Sequence, residues 1–140
     1  MRTVPGAGKS KRRLWGRFAA DILNNVIQIA DYYAPIIGEF EQLVLLALLR
    51  LGNGAYGAAI LREIRERTGR EVAIGALYMT LGRLEAKQMI CSYTGDPTSQ
   101  RGGRRRKHYL MDTAGQQALG RAYRTLRSMS EGFEQELARM

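Results

Sequence analysis

The side chains in this sequence that can do chemistry are mostly cations. Lys and Arg number 22 against 13 Asp and Glu, for a net charge of +9, and the excess is concentrated. Arg2, Lys9, Lys11, Arg12, Arg13 and Arg17 fall within residues 1–17, which hold no acid. Arg101, Arg104, Arg105, Arg106 and Lys107 fall within residues 98–111, again without one. The remainder of the chain is close to neutral. A balanced body carrying two cationic segments suits a polyanion, either nucleic acid or an anionic membrane surface.

Other chemistries find little to work with. Cys91 and His108 are each alone of their type, too few for an intrachain disulfide or a usual zinc site. Cys91 reads as a small buried hydrophobe, at home in a reducing cytoplasm. No nucleophile has an identifiable base, and the acids lie among basic residues on helix surfaces, so neither catalysis nor a metal or cofactor is expected. Gly52-Asn53-Gly54-Ala55-Tyr56-Gly57 satisfies G-x-G-x-x-G, with Glu71 beyond it. A Leu-rich helical segment precedes it, however, where a dinucleotide site needs a strand. Gly8-Lys9-Ser10 resembles the end of a P-loop, but Thr3 stands at that motif's first glycine and no strand leads into it.

The stretch 74–90 is where chemistry looks deliberately positioned. On a 3.6-residue period Ile74, Leu77, Leu81 and Leu84 form an inner side, while Gly75, Ala76, Met79, Arg83 and Lys87 form an outer one flanked by Tyr78 and Thr80. Small residues let a helix approach a surface closely, and basic ones select an anionic surface. A core helix with an ordinary solvated face fits the same pattern. Ala73 offers no capping side chain, and Gly82 costs about 1 kcal/mol relative to alanine, so leucine packing must hold the helix.

The rest of the chain supplies elements to hold that stretch. At 140 residues it fits one domain with an appended arm. Residues 1–13 read as a basic arm. Residues 14–34 read as an amphipathic helix through Trp15, Phe18, Ile22, Val26, Ile29 and Tyr33, closed by Pro35. Arg17, Asp21, Asn24, Asn25 and Gln28 interrupt its apolar run, against a signal peptide or a membrane span. Its apolar side fits the protein's own body, a second subunit or a lipid surface. Residues 38–51 are Leu-rich and read as the buried hub. A Gly52–Gly54 turn follows, then a helix over 56–68 stopped by Gly69, whose outer face mixes signs. Cys91–Thr94 and Lys107–Met111 read as strands of a hairpin with a cationic tip, a wing beside the presented helix. Thr113 to Gln116 fits a capping box. The last helix carries Leu119, Ala122, Leu126, Met129 and Phe133 at alternating three- and four-residue steps, with Tyr123 and Leu137 alongside. Such a seam packs on its own domain or pairs with a second subunit.

Several separated segments then carry a resemblance: Glu41 to Leu49, Ala55-Tyr56-Gly57, Leu77-Tyr78 through Leu81, Arg83-Leu84-Glu85, and Gly102-Gly103-Arg104-Arg105 running into Tyr109. In this order, over about residues 38–139, they resemble bacterial PadR-type transcriptional regulators. The resemblance implies a mainly α fold with a small β-hairpin: a winged helix-turn-helix DNA-binding domain over 38–112 and a C-terminal dimerisation helix over 113–140; it does not reach residues 1–37, whose own pattern reads as an N-terminal helical extension. It implies a homodimer on duplex DNA, often a repressor, in a class in which small hydrophobic or phenolic effectors release some members; together with the cysteine usage the expectation is a cytoplasmic homodimeric repressor. Tyr56, Gly75, Ala76, Tyr78, Met79, Thr80, Arg83 and Lys87, with wing residues Arg101, Arg104, Arg105, Arg106 and Lys107, are then the expected DNA contacts. Leu119, Ala122, Tyr123, Leu126, Met129, Phe133 and Leu137 are the expected dimer contacts. Relatives usually carry glycine where Gln88 stands, so a left-handed turn there costs this chain about 1 to 2 kcal/mol. The competing reading is a partner- or membrane-binding module built on residues 1–37.

Overall fold

The computed structural model describes residues 16–25, 35–52, 54–95 and 106–140. The chain divides into two units, Met1–Pro35 and Ile36–Met140. In the first, residues 16–25 form a helix, α1. The rest of the expected 14–34 helix lies outside the described residues. No described helix is long and apolar enough to cross a membrane.

The second unit is organised around α2 (Glu39–Leu51), which buries Val44, Leu45, Ala47 and Leu48. Its start is well determined. Gly38 donates its N–H to the Glu41 carboxylate at 3.0 Å, and Glu39 and Glu41 stand at the positive end of the helix dipole with Arg50 near the negative end. Gly52 and Gly54, at φ 80° and 90°, turn the chain into a two-residue strand, β1 (Ala55–Tyr56). Helix α3 (Gly57–Thr68) follows and stops at left-handed Gly69, and α4 (Ile74–Ala86) crosses it. Strands β2 (Ile90–Thr94) and β3 (Lys107–Met111) form the hairpin, and the sheet order is β1-β3-β2, all antiparallel. Helix α5 (Thr113–Ser130) returns against α2, and a single turn, α6 (Glu134–Leu137), ends the chain. Leu45, Ile60, Leu77, Leu81, Leu84, Met89 and Ile90 form the centre of one core.

The structure departs from the sequence reading in several places, each with a local cause. Ala55 and Tyr56 form a strand, and the helix expected from Tyr56 opens at Gly57 instead, because β3, more than fifty residues away, pairs Ala55 with Tyr109 and Tyr56 with His108. Two residues carry no periodicity from which to foresee this. Ile74, placed on the inner side, is 46% exposed, since the first turn of α4 projects beyond the core. Cys91 is exposed rather than buried: strand alternation puts Ile90 inward and Cys91 outward. The box expected at Thr113 does not form. Asp112 is the N-cap, and it is its main-chain carbonyl that accepts from Gln116 N–H, at 3.1 Å. The C-terminal seam is not continuous either. Leu119 is only 8% exposed and belongs to the domain's own core, with Ala122 packed at its edge, while Gly132 at φ 89° breaks the helix before Phe133 and Leu137.

Gln88 adopts φ 58°, the left-handed turn that its position called for. Lys87 N–H still reaches Arg83 O at 3.0 Å and Met89 N–H reaches Leu84 O at 2.9 Å, so the last carbonyls of α4 are satisfied at the expense of backbone strain. Replacing Gln88 by glycine should therefore raise the free energy of unfolding by about 1 kcal/mol, the relieved strain less the greater flexibility of an unfolded glycine. Urea titration of both proteins measures it, and a less stable variant would mean that the Gln88 side chain contributes more than the turn costs.

Candidate nucleic-acid interface

Helices α3 and α4 pack closely because Gly57 has no side chain. A Cβ there would sit 2.8 Å from the Tyr78 hydroxyl, so the half-exposed Tyr78 ring leans on the start of α3. At about 100° per residue, the line of α4 directly opposite buried Leu77 and Leu84 reads Gly75, Met79, Gly82, Ala86. Ile74 and Tyr78 flank this line on one side and Ala76, Arg83 and Lys87 on the other, all exposed. A Cβ added at Gly75 or Gly82 would meet nothing within 4 Å. Internal packing therefore does not require either glycine, although each costs about 1 kcal/mol of helix propensity.

Several polar side chains expected on this face are engaged elsewhere. Thr80, expected beside a phosphate, is 5% exposed, and its hydroxyl donates to Ala76 O at 2.9 Å; the buried face of the helix claims it. Lys87 reaches back to α2 and meets Glu41 Oε1 at 2.8 Å. Burial opposes ionisation of Glu41, but hydrogen bonds from Lys87 and from Gly38 N–H, helped by the charges of Lys87 and Arg83, outweigh it and hold the carboxyl below its ordinary value. Glu85 accepts from the Ser92 hydroxyl and from Lys107 Nζ, the latter at 3.2 Å. The Ser92 bond is the main reason that its carboxyl is also held low. On α3, Arg65 pairs with Glu71 at 3.1 Å and Arg67 with Glu63 at 3.1 Å.

At the root of the hairpin the Arg106 guanidinium lies 4.5 Å from the centroid of the Tyr56 ring. His108 stacks on Tyr93 with centroids 5.1 Å apart and meets Tyr56 edge-on at 6.3 Å. Its Nδ1 lies 2.6 Å from Gly54 O; a carbonyl only accepts, so Nδ1 carries the hydrogen. Glycine is needed at both ends of this stack: a Cβ at Gly54 would lie 2.9 Å from the Tyr93 hydroxyl, and one at Gly95 would lie 2.8 Å from His108 Nε2. Sequence reasoning missed Tyr93 and His108 as residues that build the site. The signal was the hairpin register, which sets them opposite each other. Arg101, Arg104 and Arg105 lie outside the described residues. Cys91 has its thiol pushed up, by desolvation first and then by Asp112, opposite to the shift of a reactive thiolate. No group of three or more metal-ligating side chains occurs among the described residues.

A helix braced across α2 and α3, presenting a bare outer line beside a cationic hairpin, is the winged helix-turn-helix of DNA-binding proteins. The family model for the Transcriptional regulator PadR-like family matches residues 45–121, and the chain belongs to that family. Among solved structures, a PadR family transcription regulator from Clostridium difficile is 29% identical, with a TM-score of 0.60 over 71% of this chain and 99% of that one. A PadR-like transcription factor from Bacteroides fragilis is 23% identical, with a TM-score of 0.58 over 77% and 93%. A winged-helix DNA-binding protein from STIV is 15% identical, with a TM-score of 0.52 over 63% and 87%, a likeness of fold alone. Comparison with curated proteins gives no match.

The Glu41 pair makes stability depend on pH in a defined direction. With its folded-state value below the ordinary 4.5, Glu41 contributes full stabilisation above that pH and loses it as the pH falls through the depressed value. Unfolding free energy, measured from neutral pH downwards, should therefore drop below about pH 4.5, and Glu41→Gln should lower stability at neutral pH and flatten that drop. An unchanged pH profile in the variant would show that other carboxylates carry the acid sensitivity.

Proposed function

We propose that this PadR-family regulator is a homodimeric repressor that lays α4 into the major groove of duplex DNA. The observation that carries this reading is the outer face of α4, where Gly75, Gly82 and Ala86 leave the backbone bare and a helix can approach base edges closely. Ala73 as an uncapped N-cap, with no acid in the first turn, leaves the first N–H groups and the positive end of the helix dipole to a phosphate. Gly75, Ala76, Met79 and Arg83 face the bases. Tyr56, Tyr78 and the wing residues Arg101, Arg104, Arg105, Arg106 and Lys107 serve the backbone or the minor groove. Thr80 drops out of the DNA-facing set, and Lys87 contributes its charge from where Glu41 holds it.

Tyr123, Leu126, Met129, Phe133 and Leu137, on α5, α6 and the turn between them, are exposed apolar side chains, and in this reading a second copy covers them. Two-fold symmetry then requires a pseudo-palindromic operator with half-sites about 34 to 36 Å apart. Repression needs the fewest parts, since a protein seated on a promoter blocks access without touching the polymerase. In this reading a small hydrophobic or phenolic effector releases the repressor from DNA.

A gel-shift titration against the DNA upstream of the protein's own gene, with scrambled competitor at two salt concentrations, tests the reading. Replacing Arg104, Arg105 and Arg106 together by alanine should weaken binding to all sequences and reduce the slope of log K against log salt by about 0.9 for each phosphate no longer neutralised. An unchanged slope removes the wing from the interface. Leu126→Glu combined with Met129→Glu should leave a folded monomer by sedimentation equilibrium, because both side chains are exposed in the single chain. A dimer that survives the double substitution is held elsewhere.

A further inference from the structure

Met79 is the one side chain longer than a methyl group on the outermost line of α4, and it is 63% exposed. The residues one turn before and after it on that line are Gly75 and Gly82. Neither has a positive φ, and neither would bring an added Cβ within 4 Å of another atom. Conformation and internal packing thus leave both glycines unexplained, whereas clearance for an outside surface explains them. Of the hydrogen-bonding side chains nearby, Thr80 is committed to Ala76 O, Lys87 to Glu41, and Glu85 to Ser92 and Lys107, while Tyr78 and Arg83 lie on the flanks of this line. What the centre of the helix offers a groove is one flexible apolar probe in a cleared strip.

The major groove displays one apolar group among its base edges, the C5-methyl of thymine. A thioether chain has no donor and only a weak acceptor, so it gains little from any other base edge. We infer that Met79 is a specificity-determining residue that contacts a thymine methyl in each half-site, with Gly75 and Gly82 bringing the helix close enough for it to do so. The inference rests on the reading of α4 as the groove-binding helix, and adds which base it selects and through what contact. Arg83, on the flank, supplies charge or a guanine contact beside it.

Deoxyuridine isolates the claim, because it keeps the hydrogen bonds of thymine and removes only the methyl. The full chain would be used to select a duplex from a randomised pool, and the winner resynthesised with deoxyuridine at each thymine in turn. At one thymine or more in each half-site, affinity should fall about fourfold, the transfer free energy of one buried methyl, and Met79→Gln should bind the thymine and deoxyuridine duplexes equally. Gly82→Ala should raise the unfolding midpoint and weaken binding to both duplexes. Deoxyuridine duplexes that all bind like the parent, or discrimination that survives Met79→Gln, would overturn the assignment while leaving α4 as the DNA-binding helix. If the wild-type chain selects no duplex in a salt-dependent way, the reading beneath falls and this inference falls with it.

Discussion

Lys87 and Glu41 meet at 2.8 Å between the C-terminal end of α4 and the first turn of α2, and that contact ties the presented helix to the hub of the domain. Glu41 is a largely buried carboxylate with two donors, Gly38 N–H and Lys87 Nζ. A charge in that position is tolerated only while it is paired, so breaking the pair costs more than making it contributes. The same turn anchors the rest of the domain. Gln88 takes the left-handed conformation, Met89 N–H closes on Leu84 O, and Met89 O accepts from Asp112 N–H at 3.0 Å. Gly115 lies so close to the Met89 carbonyl that a Cβ could not fit between them. Helices α2, α4 and α5 and strand β2 therefore converge within three residues, and a shift of that turn would move the presented helix, the wing and the C-terminal helix together.

The economy of polar groups around α4 follows from this anchoring. Glu85 holds Ser92 and Lys107 at the wing root, Glu41 holds Lys87, and Thr80 bonds back to its own helix. The two glutamate contacts tie the helix to its scaffold, and all of them take hydrogen-bonding groups off the outer face. What remains outside is small, apolar or guanidinium. In the proposed groove-binding role, such a surface would read by fit and by the field of the surrounding cations more than by a set of hydrogen bonds. The wing root is ordered on the same logic, with Arg106 over Tyr56 and His108 between Tyr93 and Gly54 O. Those contacts aim the start of the basic segment before any anion arrives.

Much of the architecture was legible in the sequence because the physics there is local. Leu-rich periodicity located α2 and α4, Gly69 stopped α3, and the strand over Lys107–Met111 has the bounds that its residues indicated. At Gln88 the family resemblance pointed to a turn that glycine usually makes, and the fold decided that this chain keeps the left-handed conformation without it. The family resemblance placed these elements in order, and the match over residues 45–121 carries the same assignment.

What the sequence could not decide were matters of partnership. Whether Thr80 faces solvent or core, whether Lys87 is available or paired, and whether Leu119 serves its own domain or another copy depend on side chains brought close only by folding. So does the two-residue strand at Ala55, which exists only because β3 is there to pair with it. Periodicity reports which face of an element is apolar, and composition reports that a chain is basic. Only the tertiary contacts decide which of those polar and apolar groups the protein uses on itself and which it leaves for DNA, because each group's partner is set by packing rather than by its neighbours in the chain.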